Sequence, residues 1–347
     1  MSTFVSRPWS RIVSAVVVCL SLTTITQAET PPNVLFIFAD QWRAQAMDYA
    51  GDPNLKGMTP NMDSLASESI NFSTAVSGMP VCTPFRASLL TGQYPLTHGL
   101  FLNDLTLPSE ALTIAEVYKA SGYGTGFIGK WHLDGYGRRL PIPEARHQGF
   151  DYWKVLECTH DYNNSYFYEQ DDPTVRKWEG YDAFEQTKDA QAYIKQQTQA
   201  GKPFALFLAW GPPHNPYQTA PKEYQDLFDA KNIQLRPNVS NSEDHAKYKA
   251  ELAGYYAHIA ALDKSMGDLM KTLDDLGIAD NTILVFTSDH GDMIGSHDAI
   301  RKQKPWDESI RVPFLLRYPK AHGDTGREIT IPINSPDIMP TLLGLGG

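Results

Sequence analysis

Two pairs of residues, far apart in the chain, carry side chains suited to a hard cation: Asp40-Gln41 and Asp289-His290. Carboxylate and amide oxygens favour calcium or magnesium, and one imidazole among them is compatible with either ion. Asp at the end of a strand is also an ordinary turn former, so each pair alone supports both readings. Between the pairs runs Cys82-Thr83-Pro84-Phe85-Arg86-Ala87-Ser88-Leu89-Leu90-Thr91-Gly92, a cysteine at a turn followed by a short helix. With cysteine rare and proline at about 5%, a chance Cys-x-Pro-x-Arg in a chain of this length is on the order of one in a hundred. Most lone cysteines are inert packing, and here it is the context that argues against that.

The elements that must position these residues are legible as apolar runs ending in polar ones. Val34-Leu35-Phe36-Ile37-Phe38-Ala39 runs into Asp40-Gln41, and Ile283-Leu284-Val285-Phe286-Thr287 into Ser288-Asp289-His290. Phe204-Ala205-Leu206-Phe207-Leu208-Ala209-Trp210 leads into Gly211-Pro212-Pro213-His214, and Val312-Pro313-Phe314-Leu315-Leu316 is a further candidate. Runs without alternation read as strands buried on both faces, as in a largely parallel sheet. Thr59-Pro60 starts a helix with Pro at its first position, ahead of Met62, Leu65 and Ala66. A longer helix places Tyr248, Leu252, Tyr255, Ile259, Leu262, Met266, Leu269 and Leu273 on its core face and stops at Gly277. Strands alternating with helices make an α/β fold whose ligands gather beyond the carboxyl ends of the strands.

The chain has 347 residues, 42% of them hydrophobic and 20% charged, enough to bury a sizeable core as one large domain or two unequal ones. Residues 1–28 read as a secretory leader: Arg7 and Arg11 precede an apolar run from Ile12 to Leu22, with Thr26 and Ala28 at a cleavage site. The run is too short for a membrane span, and the bulky Val18 before Cys19 argues against lipoprotein processing. The expected location is secreted or periplasmic, with 29–347 as the catalytic domain. The formal charge is −10, and cleavage removes two arginines and no acid, which excludes nucleic acid as a natural partner. Two cysteines remain, Cys82 and Cys158, too few for a disulfide framework.

The segment from Cys82 resembles the signature of the type I sulfatases, in which the cysteine of Cys-x-Pro-x-Arg is oxidised to formylglycine. Further pieces of that family pattern follow in order: Gly129-Lys130-Trp131-His132, Pro213-His214-Asn215-Pro216, Ser288-Asp289-His290-Gly291, and Lys304 followed by Glu308, Arg311 and Pro313. The resemblance covers 33–343. It implies an alkaline-phosphatase-like α/β sandwich, with a large, mostly parallel central sheet flanked by helices and one site at the carboxyl edge. Family members continue into a C-terminal subdomain, which is expected to be largely missing here. The resemblance also implies roles. Asp40, Gln41, Asp289 and His290 match calcium ligands, with residue 82 completing the shell and Mg2+ or Mn2+ as less favoured ions. The commonest pattern has a second Asp in place of Gln41 and often Asn in place of His290. Arg86 and Lys130 match residues that hold the formylglycine hydrate, while His132, His214 and Lys304 match those around the sulfate and its leaving group. The implied partners are a formylglycine-generating enzyme and a sulfated small molecule or glycan.

Two alternatives share the pattern: a phosphonate monoester or phosphodiester hydrolase, and a catalytically silent secreted glycan-binding protein. Around Phe150 to Tyr181, Tyr152, Trp153, Tyr162, Tyr166, Phe167, Tyr168, Trp178 and Tyr181 form either a sugar-stacking platform or an insertion packed on its own rings. Arg138, Arg139, Arg301 and Lys302 are either solvated surface charges or a local attraction for a sulfated glycan. Cys158 and His160 carry no assigned role.

Overall fold

The computed structural model describes Met1, Thr3 and residues 30–347, so the leader falls outside the described residues apart from those first two positions. Pro31–Gly347 forms one compact unit. Its strands are β1 (Asn33–Asp40), β2 (Ile70–Phe72), β3 (Ala75–Val76), β4 (Gly124–Lys130), β5 (Tyr152–Leu156) and β6 (Tyr166–Glu169). There follow β7 (Asp172–Lys177), β8 (Phe204–Pro213), β9 (Thr282–Ser288), β10 (Phe314–Arg317), β11 (Arg327–Ile329) and β12 (Ile333–Asn334). Ten strands make one sheet in the order β11-β2-β10-β9-β1-β8-β4-β5-β6-β7, and β12 pairs with β3.

The central five strands, β9 to β5, are parallel, as their unbroken apolar runs predict. Towards the flanks the sheet is mixed: β10 runs antiparallel to β9 and β2, and β6 antiparallel to β5 and β7. The candidate strand at Val312–Leu316 therefore exists, but begins at Phe314 and runs against its neighbour.

Alternate residues of β1 explain why both faces must be covered. Leu35, Ile37 and Ala39 pack in a core with the helices Asp182–Gln199 and His245–Asp275, while Val34, Phe36 and Phe38 pack in another with helices Cys82–Thr91 and Ile114–Ala120. The eight residues assigned to the core face of the long helix are all buried, and Gly277 follows its end with φ +65°. Pro60–Glu68 forms with Met62 and Leu65 buried. Among the described residues no helix is long and apolar enough to cross a membrane.

The aromatic stretch is packed rather than displayed. Trp153, Tyr162, Tyr166, Phe167, Tyr168, Trp178 and Tyr181 are all buried, with Phe167 and Trp178 stacked at 4.5 Å and Tyr152 against Tyr193 at 4.7 Å. A stacking platform of exposed rings is thereby ruled out for these residues.

Candidate active site

Register brings the two ligand pairs together. Ala39 of β1 pairs with Ser288 of β9, so Asp40 and Asp289 leave adjacent strands side by side. On the other flank of β1, β8 runs out through Pro213 to His214. Next to β8, β4 ends on Lys130, with Gly129 paired to Ala209. Four neighbouring strands thus deliver their polar termini to one edge.

Local backbone features aim the side chains. Gln41 has φ +73° and the β1–β8 register shifts between Ala39 and Asp40, which breaks the alternation that would send residues 40 and 41 to opposite faces. Gly129 has φ +102°, and an added Cβ would collide with the Ala209 carbonyl, so only glycine lets β4 end in register beside β8. Cys82 opens its helix, whose N-cap Val81 provides no side-chain cap. Asn103 instead accepts from the Thr83 amide at 3.1 Å. The helix N-terminus therefore favours negative charge at residue 82.

Around the Cys82 thiol the structure gathers both signs of charge. Sγ lies 3.6 and 3.7 Å from the Asp40 oxygens, 3.4 Å from His290 Nε2, 3.8 Å from Lys130 Nζ and 3.3 Å from Lys302 Nζ. Lys130 also donates to Asp40. Arg86 reaches Asp40 at 3.5 Å and Asp289 at 3.3 Å, and donates to the Lys130 carbonyl. His290 Nε2 sits 3.5 Å from Asp40 and 3.4 Å from Asp289. Asp40, Arg86, Lys130, Asp289 and His290 are all buried. Burial and Asp40 push the thiol up, yet Lys130, Lys302 and His290 pull it well below the usual range. Burial opposes ionisation of Asp40 too, but Lys130, His214, Lys302 and His290 hold it well below the ordinary carboxylate range. Asp289 goes the other way, raised by burial and by Asp40. Two carboxylates this close favour a bound cation that relieves their repulsion.

The donor set fits a hard cation. One ligand atom each from Asp40, Cys82, Asp289 and His290 falls within 4.8 Å of the others. Gln41 offers one more: its Nε2 donates to Asp292 at 2.6 Å, while its buried Oε1 has no hydrogen-bond partner. A carboxylate only accepts, so Asp292 fixes the amide with Oε1 as the spare oxygen. Tyr217 also donates to Asp292, and Arg301 donates to the Tyr217 hydroxyl at 2.7 Å.

The remaining candidate residues are held by partners on neighbouring loops. His132 Nε2 meets Asp104 at 3.1 Å, leaving its buried Nδ1 without a partner, and Arg138 grips the same Asp104 with two bonds. His132 and Arg138 hold Asp104 well below the usual carboxylate range. The Glu157 carboxylate accepts from the amides of Leu133, Asp134 and Gly135 and so fixes the loop that carries His132. Tyr162 donates to the His214 carbonyl at 2.8 Å, and the His214 ring stacks on His160 at 4.4 Å. Burial, then Lys302, lower His214 well below the usual histidine range, and burial lowers His160 to about 4. Burial raises the Cys158 thiol, and it forms no disulfide with Cys82.

The structure separates Lys304 from the thiol cluster in favour of a neighbouring lysine. Lys304 is exposed and its amide donates to Ser309 Oγ at 3.2 Å, whereas Lys302, two residues earlier, reaches the thiol. Arg301 and Gln303, on either side of Lys302, have φ +65° and +64°. That irregular loop decides which lysine turns inward, and no periodicity in the sequence encodes it. Asp104, His160 and Asp292 carry no local sequence signal of a role, because each acts on a residue distant in the chain.

The family model described as Sulfatase matches residues 32–347. The chain belongs to the sulfatase family. An ulvan-active sulfatase of Formosa agariphila is 51% identical over 93% of this chain, and the chain spans 63% of that relative's length. An endo-4-O-sulfatase of Bacteroides thetaiotaomicron is 30% identical over 95% of this chain and 72% of its own. Among solved structures, the sulfatase yidJ of Bacteroides fragilis superposes with a TM-score of 0.85 at 31% identity, covering 92% of this chain and 74% of that one. The fold is thus that of the alkaline-phosphatase-like sulfatases, and the cluster at Cys82 lies at the sheet edge where the sulfatase motifs of this chain converge.

Proposed function

We propose that this sulfatase-family chain hydrolyses sulfate esters on a sulfated carbohydrate, through formylglycine formed from Cys82 and a bound calcium ion. The observation that carries the reading is the buried thiol at a helix N-terminus, met by Asp40, His290, Lys130 and Lys302. A cation held by Asp40, Gln41, Asp289, His290 and residue 82 would acidify one hydroxyl of the formylglycine hydrate and offset charge on the sulfuryl oxygens.

The chain's own groups do the rest. One hydroxyl oxygen of residue 82 bonds to sulfur as the bond from sulfur to the departing alcohol oxygen breaks. Lys302, Lys130 and His132 balance the charge spread over the sulfuryl oxygens. His214, neutral in the resting site, takes up the proton released by the attacking hydroxyl as the substrate's negative charge offsets Lys302, and passes it to the departing alcohol. The second hydroxyl of residue 82 then loses its proton and reforms the carbonyl while the carbon–oxygen bond to sulfate breaks. Water adds back to the aldehyde. A serine or unmodified cysteine lacks that second hydroxyl and stops at the first ester.

Carbohydrate as the substrate class is supported by the relatives, one named for ulvan and another for endo-4-O-sulfate hydrolysis. Export to the periplasm or medium, and maturation by a formylglycine-generating enzyme, are supported by the leader pattern and by Cys82-Thr83-Pro84-Phe85-Arg86. A second reading, hydrolysis of phosphonate monoesters, is favoured by Gln41 and His290 at positions where Asp and Asn are commoner. The test pairs 4-nitrophenyl sulfate and phenyl phosphonate monoester assays with peptide mass spectrometry of residue 82. Sulfate turnover by protein carrying the aldehyde is expected. Full activity with an unmodified thiol, or phosphonate turnover exceeding sulfate turnover, would overturn the reading.

A further inference from the structure

Three of the four cations expected to attract a glycan are committed elsewhere. Arg138 pairs with Asp104, Arg301 donates to Tyr217, and Lys302 reaches the thiol. Arg139 is exposed, with its guanidinium 5.6 Å from the Tyr166 ring and no carboxylate partner among the described residues. It lines a cleft of about 290 Å3 together with Lys177, Thr159 and Asn164. Lys177 is also exposed and without a carboxylate partner among the described residues. Asp161 stands in the same cleft and leaves it with one net positive charge from these three groups.

The cleft adjoins the catalytic edge at two places. Thr159 is next in the chain to His160, whose ring stacks on His214, and Arg139 is next to Arg138, which grips the partner of His132. Consecutive Cα atoms lie about 3.8 Å apart, so the cleft begins one residue beyond His160 and Arg138, which touch His214 and the Asp104 partner of His132. The wall between is stiff: Tyr166 donates to the carbonyls of Arg138 and Cys158, and Tyr168 to that of Arg139 at 2.8 Å.

We infer that this cleft is a subsite for an anionic sugar next to the one being desulfated, with Arg139 and Lys177 binding its carboxylate or second sulfate. The inference rests on the sulfatase reading for its kinetics but not for its binding. Arg139 presents a planar fork suited to either oxyanion, Lys177 adds a point charge, and Thr159 and Asn164 supply hydroxyl and amide groups for the ring hydroxyls. Tyr166 serves as the floor under Arg139 instead of stacking on the sugar, since it is buried.

The test compares wild type with the Arg139→Ala/Lys177→Ala double variant, both positions being exposed and outside the catalytic cluster. Substrates are 4-nitrophenyl sulfate and three sulfated disaccharides whose neighbouring sugar carries a carboxylate, a second sulfate, or neither. The expected result is a rise in KM of about tenfold on an acidic disaccharide with kcat retained, and no change on the neutral disaccharide or the aryl sulfate. The acidic disaccharide that responds identifies the anion. Equal losses on all substrates, or an acidic preference that survives the double variant, would overturn the inference. Calorimetry with a disaccharide lacking the scissile sulfate but keeping its acidic neighbour separates the two readings. Binding weakened about tenfold in the variant would support the subsite even if no sulfate ester were turned over, and equal binding would overturn it.

Discussion

The two sides of Cys82 are built differently. On the cation side, Asp40, Asp289 and Lys130 end or directly follow strands β1, β9 and β4, and all are buried. On the ester side, His132, His214 and Lys302 sit on loops fastened by side-chain bonds: Glu157 to the 133–135 amides, Tyr162 to the His214 carbonyl, Arg301 to Tyr217. Sheet register fixes the first group within a narrow range, while the second depends on loop contacts that other sequences can redraw. In the proposed mechanism, charge storage falls to the rigid edge and substrate recognition to the adjustable one.

The sharpest break is Cys82→Ser, which leaves both sides standing and removes only the second hydroxyl of residue 82. Sustained turnover is expected to fall by at least about 10³-fold, with at most one product per enzyme, while fold and calcium binding persist. Near wild-type steady-state turnover in purified Cys82→Ser would falsify the formylglycine assignment. On the ester side, Lys302→Ala is expected to lower kcat by about 10² to 10³-fold, and Lys304→Ala to leave it within about twofold. A reversed pair of results would restore Lys304 to the sulfate.

Asp40→Asn probes the cation side. It leaves Lys130 buried against a neutral group and Arg86 with Asp289 alone, so metal-free protein should lose about 3 kcal/mol of stability and bind calcium less tightly. Denaturant unfolding and calorimetry read both, and an unchanged midpoint would show that those cations are compensated elsewhere.

Acidification should loosen the ester side. His258 Nε2 bonds the Pro216 carbonyl behind the His214 loop, and Nδ1 takes a bond from Tyr181 at 2.6 Å. Burial lowers His258 to about 3, so the folded protein keeps it neutral while the unfolded chain takes up a proton below its ordinary value. Its contribution is present above about pH 6.5 and fades as pH falls towards about 3, amounting to roughly 2 kcal/mol between pH 7 and 5. His258→Phe should be less stable at pH 7 and lose less on going to pH 5. Parallel pH profiles for the two proteins would remove His258 from this account.

By itself the sequence determined the parallel centre of the sheet, the core face of the long helix, and the placing of Cys82 and of the pairs 40–41 and 289–290 at element ends. Those features rest on local periodicity or on residues adjacent in the chain, which a linear reading captures. The tertiary structure decided the inward lysine, the burial of the aromatic stretch, the amide orientation of Gln41 imposed by Asp292, and the cleft at Arg139. Each of these depends on positive-φ loops or on side chains meeting across long sequence separations, and neither leaves a periodic trace. Two lysines two residues apart are equivalent in a sequence. Only the fold of their loop puts one of them 3.3 Å from the thiol and leaves the other exposed.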